Sequence, residues 1–169
     1  MKEKINEFVR SLSEAFEGEP WYGDSVMRKL ENLPYEVGYK TCIPESHSVS
    51  QIVGHLIAWK KLAIERLKDN EEYSIEIDSE IDWPNIQVHS REEWEALKRK
   101  LVAAQGKIYE LLNAVEDDSF LSKKVKGKGY DFAYLLRGVI QHDIYHIGQI
   151  GLIESQLKKK EIESGVFKT

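Results

Sequence analysis

Apolar residues recur at spacings of three and four in four long segments of this chain, which puts one apolar stripe on each of four helices. Ile5, Phe8, Val9, Leu12 and Phe16 make the first stripe, and Gly18 and Pro20 stop it. A shorter piece follows, with Asp24 as its expected N-cap and Val26, Met27 and Leu30 on one side, closed by Pro34. A loop-like stretch runs to Ser48. Ser48 with Gln51 has the capping-box pattern and opens the second long helix, SVSQIVGHLIAWKKLAIERLKD. Its stripe is Ile52, His55, Leu56, Trp59, Leu62 and Ala63. The next segment, NEEYSIEIDSEIDWPNIQVHS, is acidic, is broken by Pro84 and reads as a crossover loop.

Ser90 with Glu93 is a second capping box. It precedes REEWEALKRKLVAAQGKIYELLNAV, whose buried face is Trp94, Leu97, Leu101, Ile108, Leu112 and Val115. Gly106 inside that pattern costs about 1 kcal/mol against alanine and suggests a close helix contact. After the turn VKGKGYD, the last helix is expected from Phe132 to Lys160, with Leu135, Val139, Ile150, Ile153 and Leu157 inward. Lys158, Lys159 and Lys160 read as a solvated helix end that suits the negative end of the dipole. The tail ESGVFKT is expected to fray or dock loosely. Four amphipathic helices with a long second-to-third connection predict an all-α four-helix bundle. No repeat or boundary divides the 169 residues, so residues 1–169 are expected to form one domain.

The net charge of -5 opposes binding to phosphate backbones, so no nucleic-acid partner is expected. No apolar run at the N-terminus is long enough for a signal peptide, and none nears the roughly 18 residues of a membrane span. A cytoplasmic location with no membrane contact is the expectation. The lone Cys42 cannot make an internal disulfide, which fits a reducing compartment, and no His or Cys partner near it in sequence supports a reactive role.

The chemistry lies in the histidines. His142 and His146 are one helical turn apart, about 40° around the axis and about 6 Å along it, so two imidazoles can converge on one ion. The pair sits on the inward stripe between Val139 and Ile150. His55 sits on the inward stripe of another helix, between Ile52 and Trp59. A buried neutral imidazole needs a partner for each ring nitrogen, and two helices can supply one jointly by sharing a metal. The simpler alternative is a set of satisfied core histidines. Three protein ligands would leave a coordination position open, as in catalytic zinc sites. Three imidazoles suit zinc, nickel, copper or iron.

Gln149, three residues beyond His146, could orient a ligand or bond a metal-bound water, or be an amide satisfied by backbone. Asp143 occupies the place of the base in the zincin motif HExxH. It points about 100° from His142, however, and only Glu154, Glu161 and Glu163 follow as acidic options, so a protease is disfavoured. Asp143 reads instead as a group supporting the ligands, a surface charge or a helix–helix contact. His47 and His89 precede capping serines and read as surface or helix-end residues. Tyr145, Trp59, Trp21 and Tyr22 could line a pocket, although aromatics at helical spacing are more often core. Arg66 could bind an anion, but snorkelling to solvent is the expectation.

GHLIAWKKLAIERL followed by QHDIYHIGQIGLI, with EGEPWYGDSVMRKLENL before them, resembles the DinB/YfiT-like superfamily over nearly the whole chain. A single His followed by HxxxHxGQ is the specific part of that resemblance. It implies a bundle in up-up-down-down order, often a homodimer. It also implies a divalent ion, commonly zinc or nickel, on the residues matching its motif: His55, His142 and His146. Relatives include S-transferases that use bacillithiol or similar thiols, a mycothiol-dependent isomerase and many proteins labelled metal-dependent hydrolases. Three functions are thus in view: a metal-dependent thiol S-transferase acting on a small molecule, a metal-dependent hydrolase, and a non-catalytic metal-binding or stress-related dimer. No inward Glu or Asp claims the base that the hydrolase needs.

Overall fold

A computed structural model describes residues 1–41 and 46–163, with side chains through Lys160. Cys42, the tail beyond Glu163 and the side chains of Glu161 and Glu163 lie outside the described residues. The described residues are all-helical and form a bundle of four long helices. These are α1 (Glu3–Phe16), α4 (Val49–Leu67), α5 (Arg91–Ala114) and α6 (Phe132–Glu163), with the short α2 (Val26–Glu31) and α3 (Tyr35–Gly38) between α1 and α4. A 3-10 turn at Asp118–Ser122 joins α5 to α6, and Asp118 Oδ1 accepts from the Ile5 N–H at 3.0 Å to cap α1. No described helix is long and apolar enough to cross a membrane.

The helix signals act where the sequence places them, with local exceptions. Ser48 and Gln51 form both bonds of a capping box. At α5, Ser90 Oγ accepts from Glu93 N–H, but the Glu93 carboxylate accepts from His89 N–H rather than from Ser90. Ser25, not Asp24, is the N-cap of α2, and Asp24 instead pairs with Lys29 at 2.8 Å. Lys29 also reaches Glu154, which ties α2 to α6. Gly106 is exposed, with no atom within 4 Å of where a Cβ would be, so it marks no close contact. Arg66 does not snorkel. It is 2% exposed, and Nη1 donates to Asn70 O at 2.6 Å, closing the end of its own helix.

The helix directions follow from the side-chain pairings. His55 and Lys60 of α4 meet His142 and Asp143 of α6, and Ala63 lies in one core cluster with Val139, so α4 and α6 are antiparallel. Val53 shares a core cluster with Leu97 and Leu101, and Ile64 shares the other with Ile108 and Leu112, so α4 and α5 are parallel. Ile5 clusters with Leu136 and Phe16 with Ile150, so α1 runs with α6. Two helices point each way, as the resemblance implies. In chain order, however, they run up, down, down, up rather than up-up-down-down. The long crossover is what allows its two flanking helices, α4 and α5, to run parallel.

Between the two apolar clusters lies a polar layer. Lys60 is 2% exposed and donates to Asp143 Oδ2 at 2.6 Å and to Gln105 Oε1 at 2.7 Å, joining α4, α5 and α6. Its ammonium also lies 5.0 Å from the Phe16 ring centroid, close enough for a cation–π contact. Asp143 is therefore a helix–helix contact. Burial pushes its carboxyl pKa up, and Lys60 opposes that shift. Removing one member of a buried pair leaves the other charge uncompensated, at a cost of about 3–5 kcal/mol, whereas replacing both with apolar groups can be neutral. Urea unfolding should therefore show Lys60→Met strongly destabilised and the Lys60→Met/Asp143→Leu double variant returned most of the way. Equal loss in both would contradict this account.

Candidate metal centre

Three imidazoles converge where α4 passes α6. His55 Nε2 lies 3.0 Å from His142 Nε2, and His146 Nε2 lies 3.1 Å from the same atom. One ring nitrogen from each lies within 4.8 Å of the other two, a grouping that could hold a metal ion. His55 and His146 are buried, and His142 is half-buried.

The outer nitrogens of two rings are held. His55 Nδ1–H donates to Asp82 O at 2.8 Å and lies 3.0 Å from Asp82 Oδ1. His146 Nδ1–H donates to Gln149 Oε1 at 2.7 Å, one turn along its own helix. With Nδ1 carrying the proton, each ring presents a lone pair at Nε2. Both lone pairs face His142 Nε2, which as a neutral imidazole has at most one proton to offer. One lone pair is left opposed, and an electrophilic centre among the three nitrogens resolves that conflict. Holding the outer nitrogen with a carboxylate or amide is also how proteins orient metal-ligating histidines. The residues present thus fit a divalent ion.

Asp82 is the group that sequence reasoning missed. It is 2% exposed although it sits in the crossover. Trp59 Nε1–H donates to its Oδ1 at 2.7 Å, and Asp78 N–H donates to its Oδ2 at 2.9 Å across a turn in which Asp78 adopts φ 62°. The crossover can close onto α4 because residue 54 is glycine. A Cβ there would stand 2.9 Å from Pro84 Cγ and closer still to the Ile86 side chain. Trp83, next to Asp82, stacks on His55 at 3.8 Å between centroids and on His47 at 3.6 Å. His47 thus packs over the site through Trp83, while His89 is exposed. Tyr145 meets His146 edge-on at 4.9 Å but is 64% exposed, and Trp21 is 99% exposed. Glu154 lies outside the cluster, paired with Lys29 and Lys158.

Burial, reinforced by the neighbouring rings, pulls the His142 pKa down to about 3. Burial takes His146 to about 4 and moves His55 below its ordinary value. Unfolded imidazoles titrate near 6.5. Between those values the unfolded chain binds protons that the native chain does not, so stability falls as pH falls. The metal-free protein should therefore lose thermal stability steadily from about pH 6.5 toward pH 4, and His142→Ala should flatten that slope. A pH-independent midpoint over this range would refute the neutral, buried state of the rings.

Metal affinity is the measurement that distinguishes Asp82 from the rings. Loss of a group that orients a ligand typically weakens metal binding roughly 10–100-fold. Competition with a chelator should show Asp82→Ala weakened by that amount and His142→Ala without stoichiometric metal. Wild-type affinity in Asp82→Ala would remove the role of its carboxylate, leaving only the backbone carbonyl, in orienting His55.

The sequence profile of the DinB superfamily matches residues 23–150, a span that includes all three converging histidines, Asp82 and Gln149. Comparison with curated proteins and with solved structures returned no match.

Proposed function

The chain belongs to the DinB superfamily, and from that premise we propose that it is a divalent-metal-dependent thiol S-transferase in which His55, His142 and His146 hold zinc or nickel. The observation that carries this reading is the commitment of the nearby carboxylates. The Asp82 carboxylate lies 3.0 Å from His55 Nδ1 and accepts from Trp59 Nε1–H and Asp78 N–H, and Asp143 accepts from Lys60 through Oδ2 while its buried Oδ1 has no hydrogen-bond partner. Both carboxylates are thus tied to a partner, Asp143 to an ammonium, which opposes their acting as a base for water. A low-molecular-weight thiol such as bacillithiol brings its own nucleophile and does not need one.

A divalent ion bound there supplies Lewis acidity that lowers the pKa of a coordinated thiol. The chain's own residues do the rest. Asp82 and Gln149 fix the tautomers of His55 and His146, so both present nitrogen lone pairs without reorganisation. Trp83 covers one face of His55 and excludes water from it. In the overall transfer, sulfur bonds to an electrophilic carbon, the carbon–halogen bond breaks, the halide leaves with the electron pair and the thiol proton passes to solvent.

Metal-loaded protein with bacillithiol and monochlorobimane should form the bimane thioether faster than thiol alone, and the gain should disappear in His55→Ala. Rates equal to the thiol-only background across several thiols would overturn the reading. Metal-dependent ester turnover without thiol would favour the hydrolase instead.

A further inference from the structure

Beside the three rings, a cleft of about 280 Å3 opens between the C-terminal half of α4, the turn before α6 and the N-terminal half of α6. Trp59, Tyr130, Tyr134 and Leu135 line it, and His142 contributes to its wall. Lys60 and Asp143 also border it, but they are bonded to each other at 2.6 Å and present no net charge. Trp59 links cleft and centre, with its ring 5.5 Å from His142 and its Nε1–H on Asp82. Tyr134 is 60% exposed and stands at the mouth.

Helix α6 turns a glycine, Gly138, toward this space. Glycine inside a helix is less favourable than alanine, and close packing by a neighbour is one reason to tolerate it. Here no such neighbour exists: a Cβ at 138 would meet no atom within 4 Å. The missing side chain leaves open space on the cleft wall.

We infer that this cleft binds the acceptor of the reaction proposed above, an uncharged compound carrying a flat apolar ring, and that Gly138 is the residue that admits the ring. The inference rests on the transferase reading for the word acceptor, and on geometry for the site. Aromatic walls favour stacked rings, and an apolar lining without net charge disfavours ions. A ring lying between Trp59 and Tyr134 has His142 at its side, which brings a substituent on that ring to the centre.

The test uses the full chain and a bimane with two methyl groups and no leaving group, so nothing can be transferred. Its fluorescence is titrated with wild type, Gly138→Leu and Tyr134→Ala, and metal content is measured in each. Wild type should bind saturably. Gly138→Leu should bind at least about tenfold more weakly, a loss of about 1.4 kcal/mol. It should keep full metal content and at least wild-type thermal stability, because leucine is the better helix former. Tyr134→Ala, at an exposed position, should also weaken binding. No saturable binding by wild type, or equal affinity in wild type and Gly138→Leu, would overturn the inference. Because no thiol or turnover is involved, that failure is distinct from a failure of the transferase assay.

Discussion

The Lys60–Asp143 pair fixes how α4 lies against α6, and the arrangement of the histidines depends on that register. Lys60 follows His55 by five residues and Asp143 adjoins His142. Sliding α4 by one turn would carry the ammonium about 5.4 Å from its carboxylate and leave both charges buried without partners. Apolar stripes alone tolerate such slips, because one leucine replaces another with little loss. A buried ion pair does not. The same contact that separates the two apolar clusters also sets the height at which His55 meets the paired rings of α6.

The crossover makes the second contribution. In most bundles a long connection carries the chain from one end to the other. Here it also returns to the helix it has just left, closes on Gly54 and delivers Asp82 and Trp83 to His55. The result is an imidazole held by the backbone carbonyl and the carboxylate of Asp82 at one edge and by an indole on one face. His146 receives the simpler version, an amide one turn further along its own helix. Both rings are oriented by parts of the fold that do not themselves converge on the three-nitrogen centre.

What could be read from the sequence divides along the same lines. Periodicity is a local property, so the four helices, the Ser48 capping box and the shared face of His142 and His146 are legible from spacing. Asp82 is not, because it lies in a segment without helical period, among many acidic residues, and only the packing at Gly54 selects it. Lys60 carried a signal that could have been used: it is four residues from Leu56 and three from Ala63, and a lysine on an apolar stripe needs a buried partner. The burial of Arg66 is illegible for the related reason that its partner, the Asn70 carbonyl, belongs to backbone that no side-chain pattern reveals. The direction of the helices is not legible in the same way, since a connection long enough to span the bundle permits parallel neighbours without requiring them, and packing alone decides.

The separation of His55, Asp82 and the α6 pair along the chain has a consequence for synthesis. The chain leaves the ribosome N-terminus first, and a domain generally folds as a unit. His55 and its orienting carboxylate therefore emerge well before the residues they must meet. Until α6 emerges and docks, the nascent chain can offer an ion only isolated imidazoles. Convergence of the three rings thus waits for the docking of α6 on α4, so the centre is completed by a tertiary contact and not by either helix alone.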